Sequence, residues 1–228
     1  MNNKHIGQET LETMSSATWY NNWLVKKIQK YLKGDILEVG FGIGNFTEKL
    51  SKFGKVTAID NDPAYINKNI SNAGIIKGYG DIEKGKYFFK DKKFDTILCI
   101  NVLEHIKNDR KALVKMSGLL NKKGILILLV PAHQALYSEF DKEIGHFRRY
   151  SKKLISDILG QIFNRGLELT YINWWAAIGW FIFVKMTRSV NLPKSPVLIF
   201  DKLGSAMLHI ENIIKPPFGL SVLAIYQK

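Results

Sequence analysis

The fold of this chain is decided by a glycine-rich stretch near its start, "LEVGFGIGNFT", residues 37–47. The apolar run "DILEVGFG" (35–42) predicts a buried strand, and "NFTEKLSKF" (45–53) predicts a helix directly after it. Three glycines at alternate positions separate the two elements: Gly40, Gly42 and Gly44. Residues without a Cβ atom allow a turn so tight that backbone amides approach a ligand closely. The stretch therefore predicts a strand–loop–helix unit with a ligand site at its loop.

Strands and helices alternate along the remainder of the chain. Further strands are predicted at 55–60, 75–81, within 94–106, and at 123–131, 166–175 and 219–227. Helices are predicted at 8–32, 63–74, 109–120 and 151–163. This alternation predicts a doubly wound α/β fold with a parallel sheet. Because we find no internal repeat and no low-complexity linker, we expect a single domain over 1–228, with a helical N-terminal cap (1–33), a long loop (132–150) and a helical insertion (176–216).

The composition is that of a globular protein with a basic surface. Of the 228 residues, 46% are hydrophobic and 23% are charged, and the formal net charge is +13. The lysines are scattered in short pairs, which favours a solvated basic surface over a nucleic-acid partner. The single cysteine, Cys99, excludes an internal disulfide and a cysteine-based metal cluster. Its apolar surroundings, "TILCIN", predict a buried thiol.

Two features of the apolar pattern bear on location. The first residues, "MNNKHIGQETLETM", lack the apolar core of a signal peptide. The longest apolar run, 174–184, is too short to cross a bilayer. We therefore expect a cytoplasmic protein, with any membrane contact made at the surface.

Three carboxylates indicate which ligand the glycine loop binds. Glu38 lies in the first strand, Asp60 ends the second strand and Asp81 follows the third. The carboxyl ends of parallel strands share one edge of the sheet, so the three acids should gather around the loop. Such negative charge would repel a dinucleotide pyrophosphate, and Asn45 stands where the dinucleotide fingerprint has its third glycine. A purely structural turn stays open, but a cationic ligand carrying an amino group and a sulfonium, S-adenosylmethionine, fits the acids best.

These motifs together resemble those of the class I, seven-strand S-adenosylmethionine-dependent methyltransferases, whose last strand is antiparallel. "LEVGFGIGNFT" is similar to the glycine motif of that superfamily, "AIDNDP" to its second-strand end, "GDIE" to its adenine-side acid, and "FDTILCINVLEHI" to its fourth-strand motif. The resemblance implies that the glycines contact the methionine part, Asp60 the ribose, and Asp81 the adenine, while an aromatic residue of the N-terminal cap closes over the cofactor. The cofactor-binding residues implied are Tyr20, Glu38, Gly40, Gly42, Gly44, Asn45, Asp60, Asn61, Asp81, Ile82, Asn101 and Val102.

The fourth-strand motif narrows the class of methyl acceptor. Residues 101–105 read "NVLEH", without the (D/N)-P-P-(Y/F) motif of enzymes that methylate amino groups of nucleic acids. Cys99 is followed by Ile100, which is unlike the Cys-Pro pair of cytosine C5 enzymes. "LEHI" resembles enzymes that act on small molecules, quinones, sugars and lipids. His105 is accordingly a candidate residue of the acceptor pocket, with packing beside the next helix as the alternative.

The loop after the fifth strand is dense in polar and aromatic residues. "PAHQALYSEFDKEIGHFRRYS" (131–151) resembles a group of bacterial methyltransferases linked to glycan or lipid assembly. We predict His146 or His133 as the base or acceptor-positioning residue, because histidine titrates near neutral pH. The predicted substrate-binding residues are Tyr137, Asp141, Arg148, Arg149 and Tyr150. The alternative is that Asp141 pairs with one of the arginines and stiffens the loop; no metal-ligand cluster is evident.

The insertion leaves several roles open. Its apolar start, "WWAAIGWFIFVKMTR" (174–188), suits a pocket lid or core element, a homodimer face, or a helix at a membrane surface. The preferred functional hypothesis is transfer of a methyl group to an oxygen or nitrogen atom of a small molecule, in the form of a glycan or lipid precursor that combines an anionic group with an apolar part. The alternatives are an RNA or protein methyltransferase that uses the basic surface, and a non-catalytic S-adenosylmethionine-binding partner subunit.

Overall fold

The computed structural model describes residues 3–67, 74–187 and 216–228, together with Gly204 and Glu211. The last part of the predicted helix 63–74 and most of the predicted insertion 176–216 therefore lie outside the described residues.

A single mixed sheet forms the centre of the described chain. Its strands are β1 (Gly34–Val39), β2 (Gly54–Asp60), β3 (Ile75–Asp81), β4 (Lys86–Tyr87), β5 (Phe94–Ile100), β6 (Leu120–Pro131), β7 (Arg165–Ile172) and β8 (Ser221–Gln227). Their order is β4-β3-β2-β1-β5-β6-β8-β7. Strands β3, β2, β1, β5 and β6 are parallel neighbours, whereas β8 is antiparallel to both β6 and β7. The predicted doubly wound α/β fold with an antiparallel last strand is confirmed.

The number of strands differs from the seven that the resemblance implied. The additional strand is β4, a two-residue segment that pairs antiparallel with the end of β3 through Gly80–Tyr87 and Asp81–Lys86. A segment of this length carries no periodic signal in the sequence, so its pairing depends on the tertiary structure.

The described helices cover both faces and the carboxyl edge of the sheet. They are α1 (Asn3–Ser16), α2 (Thr18–Ile28), α3 (Thr47–Leu50), α4 (Pro63–Ile66), α5 (Asp109–Leu119), α6 (Glu139–Glu143), α7 (Lys152–Leu159) and α8 (Trp174–Trp180), which continues as a π-helix over Phe181–Met186. The predicted helix 8–32 is two helices, because Ala17 departs from helical geometry with ψ 60°. Within the described residues, no helix has the combination of length and apolar character that spanning a membrane requires.

The core lies on both faces of the sheet. Neighbouring strand residues such as Ile36 and Leu37 are fully buried and belong to different apolar clusters, one on each face. Burial on both sides is the arrangement expected of parallel strands covered by helices. Cys99 is buried in one of these clusters, as predicted, and burial raises the pKa of its thiol, which stays protonated.

The sheet topology places a crevice at the ends of β1 and β5. From β1 the chain proceeds to β2 and β3 on one side, whereas β5 and β6 continue on the other. In open α/β sheets, ligands bind at the carboxyl ends of the strands at such a switch point. The glycine loop follows β1 directly, and the "NVLEH" segment follows β5, so both predicted motifs meet at this crevice.

Candidate active site

A cavity of about 790 Å³ lies over the carboxyl edge of the sheet. This volume lies within the usual range for small-molecule sites. Its walls come from α1 and α2, the loops after β1, β2, β3 and β5, the loop around α6, and α8 with its π-helical continuation. The predicted residues that line it are Tyr20, Glu38, Gly40, Gly42, Asn45, Asp60, Asn61, Asp81, Ile82, Asn101, Val102, His105, His146 and Arg149.

The glycine loop packs closely against the segment after β5. Gly40 has φ 72°, and a Cβ atom at this position would lie 2.4 Å from Cγ2 of Val102. Gly42 has φ 53°, and its N–H donates to Oδ2 of Asp60 at 2.9 Å. Gly44 also has a positive φ, but it lies outside the cavity lining and donates its N–H to the carbonyl of Phe41. Gly44 therefore shapes the turn, and its predicted contact with the cofactor is not supported by its position.

The three predicted carboxylates meet in the cavity, and each has a different environment. Glu38 is 4% exposed, burial raises its pKa to about 8, and its Oε2 has no hydrogen-bond partner among the described residues. Asp60 accepts N–H bonds from Gly42 and Asp62, although burial still raises its pKa. Burial alone would raise the pKa of Asp81 as well, but the hydrogen bond and ion pair with Lys84 hold that pKa below its usual value.

A cationic ligand fits this acidic end of the cavity. A buried carboxylate without a compensating partner is costly, and a bound cation removes that cost. The amino and sulfonium groups of S-adenosylmethionine supply positive charge, and Asp60 retains lone pairs that a ribose hydroxyl can use. Glu38, Asp60 and Asp81 line the cavity together, and their predicted contact with this cofactor stays a prediction.

Tyr20 closes the cavity from the N-terminal cap. Its ring stacks on Trp23, with centroids 6.0 Å apart. Burial raises the pKa of Tyr20 to about 12, so its hydroxyl is neutral and serves as a hydrogen-bonding group. Its position in the lining agrees with the predicted closing role.

A polar cluster occupies another part of the cavity wall. Nδ1 of His146 lies 2.9 Å from Oδ1 of Asp141, and Nε2 of His146 lies 3.7 Å from Oε1 of Glu104. The rings of His105 and His146 are in edge-to-face contact at 4.5 Å. Glu104 is fully buried, burial raises its pKa to about 7, and neither of its carboxylate oxygens has a hydrogen-bond partner among the described residues.

Asp141 is the anchor of the long loop. Its Oδ1 accepts from Nε of Arg149 at 2.9 Å, and its Oδ2 accepts from an NH2 group of Arg149 and from the N–H and hydroxyl of Ser138. The Arg149 guanidinium lies 4.6 Å from the ring centroid of Trp180. Asp141 lies outside the cavity lining, and its interactions match the alternative in which an Asp141–arginine pair stiffens the loop.

Three other predicted substrate-binding residues also brace the loop. Arg148 donates to Oδ2 of Asp109 and to the carbonyl of Lys107, both at 2.8 Å. Tyr150 is fully buried and donates to the same Asp109 oxygen at 3.0 Å. Tyr137 donates to the carbonyl of His146 at 2.7 Å. All three lie outside the cavity lining, so their positions do not support the predicted contact with substrate.

His133 is separated from the cavity as well. Its ring stacks on Tyr171 at 4.7 Å, and its backbone N–H donates to the carbonyl of Tyr150. Its position does not support the predicted catalytic role, so His146 and His105 are the predicted catalytic residues that line the cavity. Glu104 also lines the cavity but was not among the predicted site residues. Its position beside His105, just after a buried strand, is a sequence feature that could have indicated it.

Part of the apolar wall comes from α8 and the π-helix. Trp175, Gly179, Trp180 and Val184 line the cavity, and Gly204 of the insertion also contributes. Trp180 donates its indole N–H to the carbonyl of Leu136, which fixes α8 against the long loop. These contacts are of the kind expected of the predicted pocket lid or core element, and the role of 174–188 stays a prediction. The dimer and membrane alternatives concern its outward face, whose exposed side chains are Ile178, Phe181, Ile182 and Met186.

Comparisons with known proteins agree with this geometry. Residues 37–128 match the family described as "Methyltransferase domain". The ubiquinone biosynthesis O-methyltransferase of Rickettsia bellii is 29% identical over 119 residues, which are 47% of this chain and 48% of that protein. The curated relatives are matched over less than two thirds of their lengths.

Solved structures show the same fold at low sequence identity. The N-methyltransferase NodS from Bradyrhizobium japonicum, in complex with S-adenosyl-L-homocysteine, has a TM-score of 0.57 at 18% identity, with 90% of this chain and 83% of NodS covered. An S-adenosylmethionine-dependent methyltransferase from Clostridium acetobutylicum has a TM-score of 0.55 at 14% identity, with 92% and 90% covered. The narrower bacterial group that the loop motif resembles stays a prediction. Residues 37–128 thus match a methyltransferase domain, and the sheet has the Rossmann-like fold of these solved methyltransferases, of which NodS is solved with S-adenosyl-L-homocysteine.

Proposed function

We propose that this protein transfers the methyl group of S-adenosylmethionine to an oxygen or nitrogen atom of a small-molecule acceptor that has an apolar part. The observation that carries the proposal is that one cavity joins the glycine loop and its carboxylates to the His146 cluster. An acceptor held at that cluster would lie beside the methionine end of the cofactor, since Val102 packs on Gly40 and is separated from Glu104 by one residue.

The reaction requires alignment more than covalent help from the protein. A lone pair of the acceptor atom attacks the methyl carbon, the C–S bond breaks, and its electron pair stays on sulfur in S-adenosylhomocysteine. The acceptor atom loses its proton at the polar cluster. Holding both reactants in line in a cavity that excludes water accounts for much of the rate in such a displacement.

The residues that line the cavity favour an acceptor with an apolar part. Trp175, Trp180 and Val184 face the same cavity as His105 and His146, so a molecule with a polar end and an apolar body matches both parts. The name of the Rickettsia bellii relative refers to ubiquinone, a molecule of this general character. A lipid-linked or glycan-linked precursor has the same character, and the proposal includes it. Among the predicted substrate-binding residues, Arg149 lines the cavity, and its Nε donates to Asp141.

The experiment has two stages. Calorimetric titration of the purified protein with S-adenosylmethionine and S-adenosylhomocysteine should show one site per chain. The protein is then incubated with methyl-labelled S-adenosylmethionine and fractionated extracts of a strain that lacks the gene. We expect label in an organic-soluble small molecule. Absence of cofactor binding would overturn the proposal, and label confined to RNA or protein fractions would overturn the acceptor class.

A further inference from the structure

The cluster of Glu104, His105 and His146 contains the donor set of a metal site. Each residue offers one ligand atom, and these atoms all lie within 4.8 Å of one another. The sequence gives no sign of this cluster, because Glu104 and His105 are separated from His146 by about forty residues and meet only when the long loop folds back over β5.

Glu104 is the observation that points to a bound cation. Its side chain is fully buried, and both carboxylate oxygens lack a hydrogen-bond partner among the described residues. Buried carboxylates are normally paired, hydrogen-bonded or bound to metal, because an isolated one carries a large desolvation cost. The nearest cationic candidate is the His146 ring, at 3.7 Å, which is beyond hydrogen-bond distance.

His146 is oriented as metal-binding histidines are. Its Nδ1 contacts Asp141 at 2.9 Å, and Asp141 is itself held by Arg149 and Ser138. A carboxylate bonded to one ring nitrogen fixes the tautomer and directs the other nitrogen to the metal. Here the other nitrogen, Nε2, is the atom that faces Glu104.

We infer that Glu104, His105 and His146 bind one divalent first-row transition-metal ion, of which Zn²⁺ is the representative, in the wall of the cavity. Two histidines and one carboxylate are a common ligand set for Zn²⁺ with an open position for substrate. Ligand atoms of a tetrahedral ion with metal–ligand distances of about 2.0–2.2 Å lie about 3.5 Å apart. The 3.7 Å between Nε2 of His146 and Oε1 of Glu104 is close to this spacing, and all three ligand atoms lie within 4.8 Å of one another. Two imidazoles favour a transition metal over Mg²⁺ or Ca²⁺, which prefer oxygen ligands.

The inference rests on the proposed function and deepens it, because it defines the acceptor end of the cavity. The open coordination position would take a hydroxyl or phenol oxygen of the acceptor. A bound cation would lower the pKa of a coordinated O–H group, so the proton would pass to water while the acceptor enters the cavity, before the two bound reactants exclude water from it. The inference thus selects an acceptor oxygen.

The test is metal binding by the untagged protein after chelator treatment and gel filtration. Zn²⁺ is titrated in competition with a chromophoric chelator, and Co²⁺ is titrated while its visible absorption is recorded, since that spectrum reports coordination. We expect one ion per chain. Zn²⁺ affinity should fall at least about 100-fold in Glu104→Gln and in His105→Gln. This loss exceeds the 10–100-fold typical when a residue that only supports a metal ligand is replaced. His133→Gln is the matched control, because it removes a histidine outside the cavity lining, and its affinity should equal that of the wild type.

Calorimetry with S-adenosylmethionine on the same samples separates the two proposals. Cofactor binding without stoichiometric Zn²⁺ binding overturns the metal site and leaves the proposed function standing, whereas loss of cofactor binding would overturn the function itself. His105→Gln guards against a folding artefact, because the His105 side chain is accessible at the cavity and glutamine keeps a polar group at this position. If Zn²⁺ affinity is unchanged in His105→Gln, the inference that Glu104, His105 and His146 together bind the ion is wrong.

Discussion

Nδ1 of His146 and Oδ1 of Asp141 lie 2.9 Å apart, and this contact sets the direction of the His146 ring in the cavity. Asp141 is buried and bonded to Arg149, so the carboxylate has little freedom to move. The ring therefore presents Nε2 toward Glu104 and the cavity. The arginine pair in this loop supports the site from behind: Arg149 holds Asp141, and Arg148 holds Asp109.

Asp60→Ala should weaken S-adenosylmethionine binding at least tenfold, which corresponds to about 1.4 kcal/mol. The carboxylate orders the glycine loop through the Gly42 N–H and faces the cavity where the ribose is expected. Calorimetric titration checks the affinity. Asp157→Ala is the control, because Asp157 forms an exposed ion pair with Lys153 on α7, outside the cavity lining. Equal affinities in the two variants would contradict the assignment of the cofactor end.

Gly40→Ala should lower the free energy of unfolding by at least about 2 kcal/mol, since a non-glycine residue at positive φ and an overpacked contact are both costly. The added Cβ atom would lie 2.4 Å from Cγ2 of Val102. Gly118→Ala in α5 is the matched control, because its Cβ atom meets no atom within 4 Å and should stabilise the helix by about 0.5 kcal/mol. Urea unfolding measures both. The contact is confirmed if Val102→Ala restores part of the stability lost in Gly40→Ala.

The fold, and the gathering of the three carboxylates beside the glycine loop, were predictable because they depend on local patterns. An apolar run closed by glycines specifies a strand and a loop, and a carboxylate at a strand end can be placed at the sheet edge without coordinates. Local patterns did not predict which side chains of the long loop face the cavity. Tyr150 and Arg148 are close in sequence to His146, but they turn toward Asp109 on α5, about forty residues earlier.

The acceptor end of the cavity is formed by contacts between residues that are far apart in sequence, and the spacing of motifs does not predict such contacts. Glu104 and His146 meet because the long loop returns to the end of β5, where the N–H of Phe147 donates to the carbonyl of Glu104. Which of several polar residues in a loop faces a cavity is decided by such tertiary contacts. The sequence could therefore nominate His105 and His146, but it could not separate them from His133, which stacks on Tyr171.

Glu38 should make stability fall as pH rises. Burial raises its folded-state pKa from 4.5 to about 8. Between these values the folded protein keeps the Glu38 proton and the unfolded chain releases it, so the free energy of unfolding decreases with increasing pH, by up to about 1.4 kcal/mol per pH unit for one proton. Urea unfolding of the cofactor-free protein from pH 5 to 8 should show a shallower decline in Glu38→Gln than in the wild type. Parallel profiles would show that Glu38 is ionised in the folded protein.

Tyr150→Phe should reduce stability by about 1–2 kcal/mol, because a buried hydrogen bond to the Asp109 carboxylate is lost. Tyr150 lies outside the cavity lining, so cofactor affinity should stay within twofold of the wild-type value. Thermal unfolding and calorimetric titration provide the two measurements. A variant with normal stability and impaired acceptor binding would restore the sequence-based prediction that Tyr150 contacts substrate.

His146→Gln should lower turnover by about 100-fold or more while leaving S-adenosylmethionine affinity nearly unchanged, in keeping with the loss of a group that acts on the acceptor. The side chain belongs to the cluster with Glu104 and His105, whereas the cofactor carboxylates Glu38 and Asp60 lie next to the glycine loop. Turnover is measured with labelled cofactor and the extract fraction that becomes labelled in the experiment proposed above. Cofactor affinity is measured by calorimetry. If affinity for the cofactor falls as much as turnover, His146 supports the fold of the loop and does not act on the acceptor.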